Sequence, residues 1–265
     1  MTEILAVGQV WAFLGSFLGG LAVGSFLNVC IHRLPRGESV VTPGSRCPRC
    51  SRGLQWFENI PVVAYVALRG RCRSCGGAIG WMYPVVELAT CGLFVLLWAL
   101  LGWQPLLLVR LVFCCAMIVL FVIDLRDRLL PDVVTVPGIG IGLTAAAVMG
   151  GGQGLASAVV GAVVGGGSLY LLAETYYRVR HEEGLGMGDV KMLTMIGAFL
   201  GWPQVLVTLM MASVFGSIVG VTLLSLGLAG RKYPLPFGSF LAVAAIAVAL
   251  AAEPIVAWYV GFVCG

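Results

Sequence analysis

Long unbroken apolar stretches, parted by short islands of charge, fix what this chain can fold into. They lie near Ile4–Val29, Tyr83–Leu101, Pro105–Ile123, Val133–Met149, Leu155–Ala173, Val190–Leu200, Gln204–Ala229 and Phe237–Val263. A helix needs about 20 mostly apolar residues to cross a bilayer. Most of the eight are close to that length. The sixth has 11 residues and reaches further only if its helix begins inside the Gly-rich turn before it. Charged residues make up 11% of the chain, against roughly 25% in soluble proteins, and mean hydropathy is +1.00. So few charges cannot cover a globular surface of this size. A soluble enzyme, a disordered chain and a secreted disulfide scaffold are thereby excluded. Continuous rather than alternating apolar runs argue against a membrane β-barrel. The expected fold is all-α and polytopic, with about eight transmembrane helices. The first residues carry no Lys or Arg and the first run is too long for a signal-peptide core, so no cleavable signal is expected.

The cations give the chain a direction. Arg33, Arg36, Arg46, Arg49, Arg52, Arg69, Arg71 and Arg73 fall in one polar block, Ile31–Met82. Arg126 and Arg128 follow the third run. Arg178, Arg180 and Lys191 follow the fifth, and Arg231 and Lys232 the seventh. The alternate connections, near Gly102–Gln104, Gly150–Gly154 and Gly201–Pro203, hold none. By the positive-inside rule the cation-bearing loops are cytoplasmic and both termini lie outside. Arg110, inside the third run, is expected to snorkel or to meet a buried partner such as Glu87; the alternative is a site residue. Glycines spaced four apart, Gly161 with Gly165 and Gly216 with Gly220, and the adjoining Gly166 and Gly167, are read as helix-packing positions.

The polar block contains RCPRC and, 21 residues on, RCRSC. Cys47, Cys50, Cys72 and Cys75 form two CxxC knuckles, the pattern of a closed four-sulfur zinc site. Two disulfides are the alternative, but a cytoplasmic loop is a reducing environment. Such zinc builds a domain and leaves no open position for catalysis. Cys30, Cys91, Cys114, Cys115 and Cys264 lie in or beside apolar runs and are read as small buried hydrophobes. The arginines are those of any cytoplasmic loop, and Trp56, Phe57 and Tyr65 are expected to pack on the membrane surface or the zinc knob. Nucleic acid is not an expected partner.

Two aspartates stand at span ends on the basic side: Asp124 after LFVI, and Asp189 after EGLGMG. Carboxylates at a membrane edge are costly and mark function by default. If two converge, one can stay ionised to activate water while the other keeps a proton to polarise a carbonyl. Gly184, Gly186 and Gly188 would let backbone come close to Asp189. A proton or ion pathway would use similar residues. Asp132, after Pro131, reads as a helix N-cap, and Asp127 as an ion-pair partner of its arginine neighbours. His181, a lone loop histidine, is assigned no role.

Taken in order, GSFLNVCIHRLPRG at Gly24–Gly37, CPRC, WFENIPVVAYVALRGRCRSC at Trp56–Cys75, YPVVELAT at Tyr83–Thr90, IDLRDRLLPD at Ile123–Asp132 and EGLGMGDVKM at Glu183–Met192 resemble the type IV prepilin peptidases, a family of GxGD membrane aspartic proteases. The resemblance covers nearly the whole chain. It implies a catalytic pair, Asp124 and Asp189, and a zinc set of Cys47, Cys50, Cys72 and Cys75. It implies cleavage after Gly of a short basic leader on prepilins or type II secretion pseudopilins, at the cytoplasmic side of the bacterial inner membrane. It also implies methylation of the new N-terminal residue from S-adenosylmethionine. No GxGxxG follows a strand, so no residues are singled out for the methyl donor. Asn28, Arg33, Glu58, Asn59 and Glu87 are weaker candidates, equally explained by packing and hydrogen bonding.

The organisation implied is a first transmembrane helix over 1–30, a cytoplasmic zinc-binding loop over 31–82 and a transmembrane peptidase core over 83–265. A peptidase without methylation is one alternative. A proton-coupled transporter using Asp124 and Asp189 is another, for which the cysteine loop has no evident use and internal repeats are missing. The oligomeric state is left open.

Overall fold

The computed structural model describes residues 2–181, 186–228 and 235–251, with side chains from Gly8 onward. Gly184, Arg231, Lys232, Cys264 and the end of the eighth run lie outside the described residues, as does the C-terminus placed outside the membrane. The helices are α1 (Thr2–Arg33), α2 (Val63–Ala67), α3 (Met82–Leu101), α4 (Pro105–Asp127), α5 (Asp132–Arg180), α6 (Met187–Leu200), α7 (Trp202–Ser225) and α8 (Phe237–Leu250). Five of them, α1, α3, α4, α5 and α7, are long and apolar enough to cross a membrane. α5 carries two expected spans. The expected connection near Gly150–Gly154 shrinks to one non-helical residue, Gly151, at φ 56° and ψ −146°. That backbone lies outside the helical region and suits glycine, which breaks the helix into two halves.

The chain divides into two compact units, Met1–Val119 and Leu120–Gly265. In the first, α1 packs along α3. A Cβ on Gly20 or Gly24 would stand 2.7 Å from the Cα of Cys91 or Glu87. The two glycines are one turn apart, as are their counterparts, so backbone meets backbone along a single face. This pair carries the same spacing as the glycines singled out above. Glu87 near the start of α3 accepts the N–H of Val62 at 2.7 Å, not a bond from Arg110. Residues 102–104 join the end of α3 to the start of α4, so Arg110 lies by the far end of α3 from Glu87. Its buried Nη1 has no hydrogen-bond partner among the described residues.

In the second unit α6 is central and packs against α5, α7 and α8. Val190, Met192, Leu193, Met195, Ile196, Ala198 and Leu200 are all buried, as expected of a helix that is apolar all round. Protein, not lipid, surrounds it, so 14 residues suffice. It reaches Met187, three residues before the apolar run begins. A Cβ on Gly161 would meet the Gly197 carbonyl oxygen at 2.5 Å, so α5 and α6 touch through their backbones there. Gly165 faces Leu193 in the same seam, whereas Gly167 faces open space. Gly216 and Gly220 lie against Phe240 and Leu235.

Candidate active site

Asp124 occupies the last turn of α4 and is 5% exposed. Its Oδ2 accepts two hydrogen bonds from one residue: the Ser239 N–H at 2.6 Å and the Ser239 hydroxyl at 2.8 Å. The hydroxyl oxygen is also 3.3 Å from the Phe121 carbonyl, but it has one proton and the carboxylate is nearer. Ser239 is in the first turn of α8, where unpaired N–H groups and the helix dipole favour a negative group. The Asp124 Cγ lies 3.1 Å from the place a Gly238 Cβ would take, so a side chain there would crowd the carboxylate.

Asp189 is in the first turn of α6 and half-buried. Its N–H closes a turn onto the Gly186 carbonyl at 3.1 Å, and its Oδ2 stands 3.5 Å from the Cβ position of Gly186. The GxGD segment thus folds back along its own carboxyl group. Leu130 joins the two places: its side chain comes within 2.9 Å of the Cβ position of Gly188 and 3.0 Å of that of Gly238. The starts of α6 and α8 are therefore brought to one leucine, and Asp189 lies within reach of the charge on Asp124. The two sequence-derived aspartates converge.

Their neighbours do other things. Asp132 is not an N-cap. Pro131 takes that position and makes no side-chain cap bond, because α5 begins at Asp132 itself. The Asp132 carboxylate pairs with Lys191 at 2.7 Å, tying the start of α5 to the start of α6. Asp127 is exposed at the end of α4 and makes no ion pair among the described residues. Adjacent residues on a helix do not face each other, and the backbone leaves the helix at Arg128 with φ 53°. Ser239 was missed by the sequence reading. The available signal was that it is the sole hydroxyl in the apolar stretch from Phe237 to Ala251.

In the other unit, the four sulfurs of Cys47, Cys50, Cys72 and Cys75 lie within 4.8 Å of one another, and all four are free thiols. The disulfide alternative is therefore not adopted. Two matching turns build the cluster. Ser51 N–H bonds to the Cys47 carbonyl and Gly76 N–H to that of Cys72, both at 2.9 Å, with Ser51 and Gly76 left-handed at φ 56° and 64°. Isolated bridges Arg46–Gly53 and Arg71–Ala78 close the two turns. The Cys47 and Cys75 sulfurs are 3.9 Å apart. A tetrahedron with metal–sulfur bonds of about 2.3 Å has edges of about 3.8 Å, so the spacing fits a four-thiolate metal site. Backbone N–H groups of Cys75 and Ser74 bring the Cys72 thiol down to about 6. Cys75, although drawn down by Gly77, is pushed up to about 11 by burial and the adjoining sulfurs. A cation at the centre relieves that crowding of negative charge.

Of the weaker candidates, Asn28, Arg33, Glu58 and Glu87 are held by hydrogen bonds. Asn28 Nδ2 donates to the Tyr83 carbonyl at 3.0 Å, and Arg33 donates to the carbonyls of Ser39, Pro43 and Gly44. Glu58 accepts from Arg52 and from the Gln55 N–H, which hold its carboxyl below the usual range. Trp56 and Phe57 meet edge to face, with Arg73 over the Phe57 ring, so these aromatics belong to the cysteine knob.

A polytopic helical protein with two converging carboxyl groups at helix ends has the makings of a membrane aspartic peptidase. The chain belongs to the type IV leader peptidase family. Family models for the Bacterial Peptidase A24 N-terminal domain and the Type IV leader peptidase family match residues 18–101 and 111–221. A prepilin leader peptidase/N-methyltransferase of Pseudomonas aeruginosa is 37% identical, with 99% of this chain and 98% of that protein covered. One of Aeromonas salmonicida is 36% identical over 96% of each. One of Myxococcus xanthus is 43% identical over 82% of this chain, which spans 64% of that relative's length. The transporter alternative finds no support in these matches. No solved structure matches.

Removing the Ser239 hydroxyl takes one of two donors from a buried carboxylate. A hydrogen bond to a charged group contributes about 1.5–3 kcal/mol. Ser239→Ala is expected to lower kcat for leader cleavage by ~10- to 100-fold with little change in KM, and Ser239→Thr to retain most of it. Steady-state kinetics on a prepilin substrate read both.

Proposed function

We propose that this chain cleaves the short basic leader from type IV prepilins or type II secretion pseudopilins, after Gly, and methylates the N-terminal residue so exposed. The observation that carries the reading is the convergence of Asp124 and Asp189 in one unit. Asp124 is the ionised member: its two donors and the start of α8 stabilise a negative oxygen, and it takes the proton of the attacking water. Asp189 carries the proton that polarises the scissile carbonyl and then reaches the leaving amine. The Gly-rich turn around Asp189 leaves room for extended substrate backbone. Both aspartates lie on the cation-bearing side of the chain, which the positive-inside rule makes cytoplasmic, where a basic leader would be found.

Methylation rests on the names of the relatives and on the cysteine knob that this chain keeps. S-adenosylmethionine supplies an activated methyl group, carried on a sulfonium. The cysteine cluster would hold one Zn²⁺, a closed site that contributes folding energy and no reacting atom.

The two activities separate experimentally. Asn at Asp124 or Asp189 keeps the shape but cannot perform the proton transfers. Each substitution is expected to cost several decades of cleavage rate, with the double variant little worse than either single one. Both should still methylate a pre-cleaved peptide supplied with S-adenosylmethionine. Mass spectrometry of the peptide scores cleavage and methylation together. Full cleavage by Asp189→Asn would falsify the aspartic mechanism, and absence of methylation by the parent chain would leave a peptidase alone.

Metal analysis of purified protein should give one zinc per chain. Cys72→Ser should lower the thermal midpoint more than it lowers turnover per folded molecule; active, zinc-free protein contradicts this. For orientation, a cysteine placed at Ser39 should resist impermeant thiol reagents in intact cells. Labelling from outside would reverse the topology.

A further inference from the structure

The first unit contains a cavity of about 570 Å³, lined by Asn28, Glu58, Asn59, Tyr65, Tyr83 and Glu87 among others. That is within the usual range for a small-molecule site. Its two buried carboxylates, each 8% exposed, differ in one respect. Glu58 is neutralised by Arg52 at 2.6 Å. Glu87 is in none of the lysine or arginine ion pairs of the described residues; it accepts the Val62 N–H and lies near the neutral side chains of Ser25 and Asn28. Arg33, Arg46, Arg49 and Arg73 also line the cavity; Arg33 is committed to three backbone carbonyls, Arg73 lies over the Phe57 ring, and none of the four is ion-paired with Glu87. Buried carboxylates are ordinarily paired with a cation. Val62 adds a second sign. A β-branched residue at φ 60° is strained, and it lies on the cavity wall with its N–H on Glu87. Strain of this kind collects at ligand sites.

We propose that this cavity is the methyl-donor site, and that Glu87 faces the sulfonium of S-adenosylmethionine. The inference rests on the methyl-transfer reading above. A sulfonium is the cation that Glu87 lacks, and Tyr65 and Tyr83, whose aromatic rings attract such a charge, line the same cavity. In the transfer, the lone pair of the neutral α-amine forms the N–CH₃ bond. The S–CH₃ pair returns to sulfur, which leaves as the neutral thioether of S-adenosylhomocysteine. The methylated ammonium then gives one proton to water. Donor and product thus differ by the charge that Glu87 reads, and the product is held less tightly than the donor.

Calorimetric titration of the purified full chain with S-adenosylmethionine and with S-adenosylhomocysteine tests this. The parent chain should prefer the sulfonium by at least ~10-fold. Glu87→Gln keeps an oxygen for the Val62 N–H and removes the charge; it should bind both ligands with similar affinity. Ala64→Trp, which fills the cavity from α2, should weaken both by at least ~10-fold. A cooperative melt identifies folded protein, and if Glu87→Gln fails to fold, Ala64→Trp decides. A sulfonium preference that survives in Glu87→Gln, or unchanged affinities in Ala64→Trp, overturns the proposal. If the parent chain binds neither ligand, the methyl-donor reading falls as well.

Discussion

A carboxylate at the edge of a hydrocarbon layer persists only where the protein replaces the water it has lost. For Asp124 that replacement is the first turn of α8. Ser239 gives it an N–H and a hydroxyl on the same oxygen, and Gly238 lets the helix come near enough to do so. The rest of the second unit is arranged around this contact. Leu130, just beyond α4, fills the space between Gly188 and Gly238 and so sets how close Asp189 comes. Lys191 and Asp132 pin the neighbouring helix starts from outside.

Backbone proximity is the common means in both units. With little hydrophobic drive between helices in lipid, close approach through glycine and small residues supplies contact area and fixes register. Gly20 and Gly24 set α1 against α3 and hold Glu87 at the cavity wall. Gly161 and Gly197 set α5 against α6, the helix whose first turn carries Asp189. Each unit has one such seam beside its proposed site.

Much of this was legible from residues alone. The helical segments, the cysteine cluster and the aspartate pair each carry a local signal: hydropathy, CxxC spacing, or a carboxylate beside an apolar run. Ser239 carried none strong enough, because its role depends on a contact 115 residues away in sequence. Asp132 misled for a related reason. Its position after Pro131 fits a cap, but Lys191, 59 residues on, offers a better partner. Glu87 and Arg110 were paired by charge, yet they lie near opposite ends of α3. The single-residue break at Gly151 was blurred because four glycines within the five residues 150–154 look like a loop and are mostly helix.

The shortness of α6 has a mechanical consequence. At about 1.5 Å per residue its 14 residues span about 21 Å, against a hydrocarbon layer of about 30 Å. A lipid-facing helix of that length would force the bilayer to thin around it. α6 faces protein on nearly every side, so its ends answer to α5, α7 and α8 instead. Hydrophobic mismatch in membranes of different thickness is then absorbed by the tilt of the outer helices, and the depth of Asp189 is insulated from the lipid.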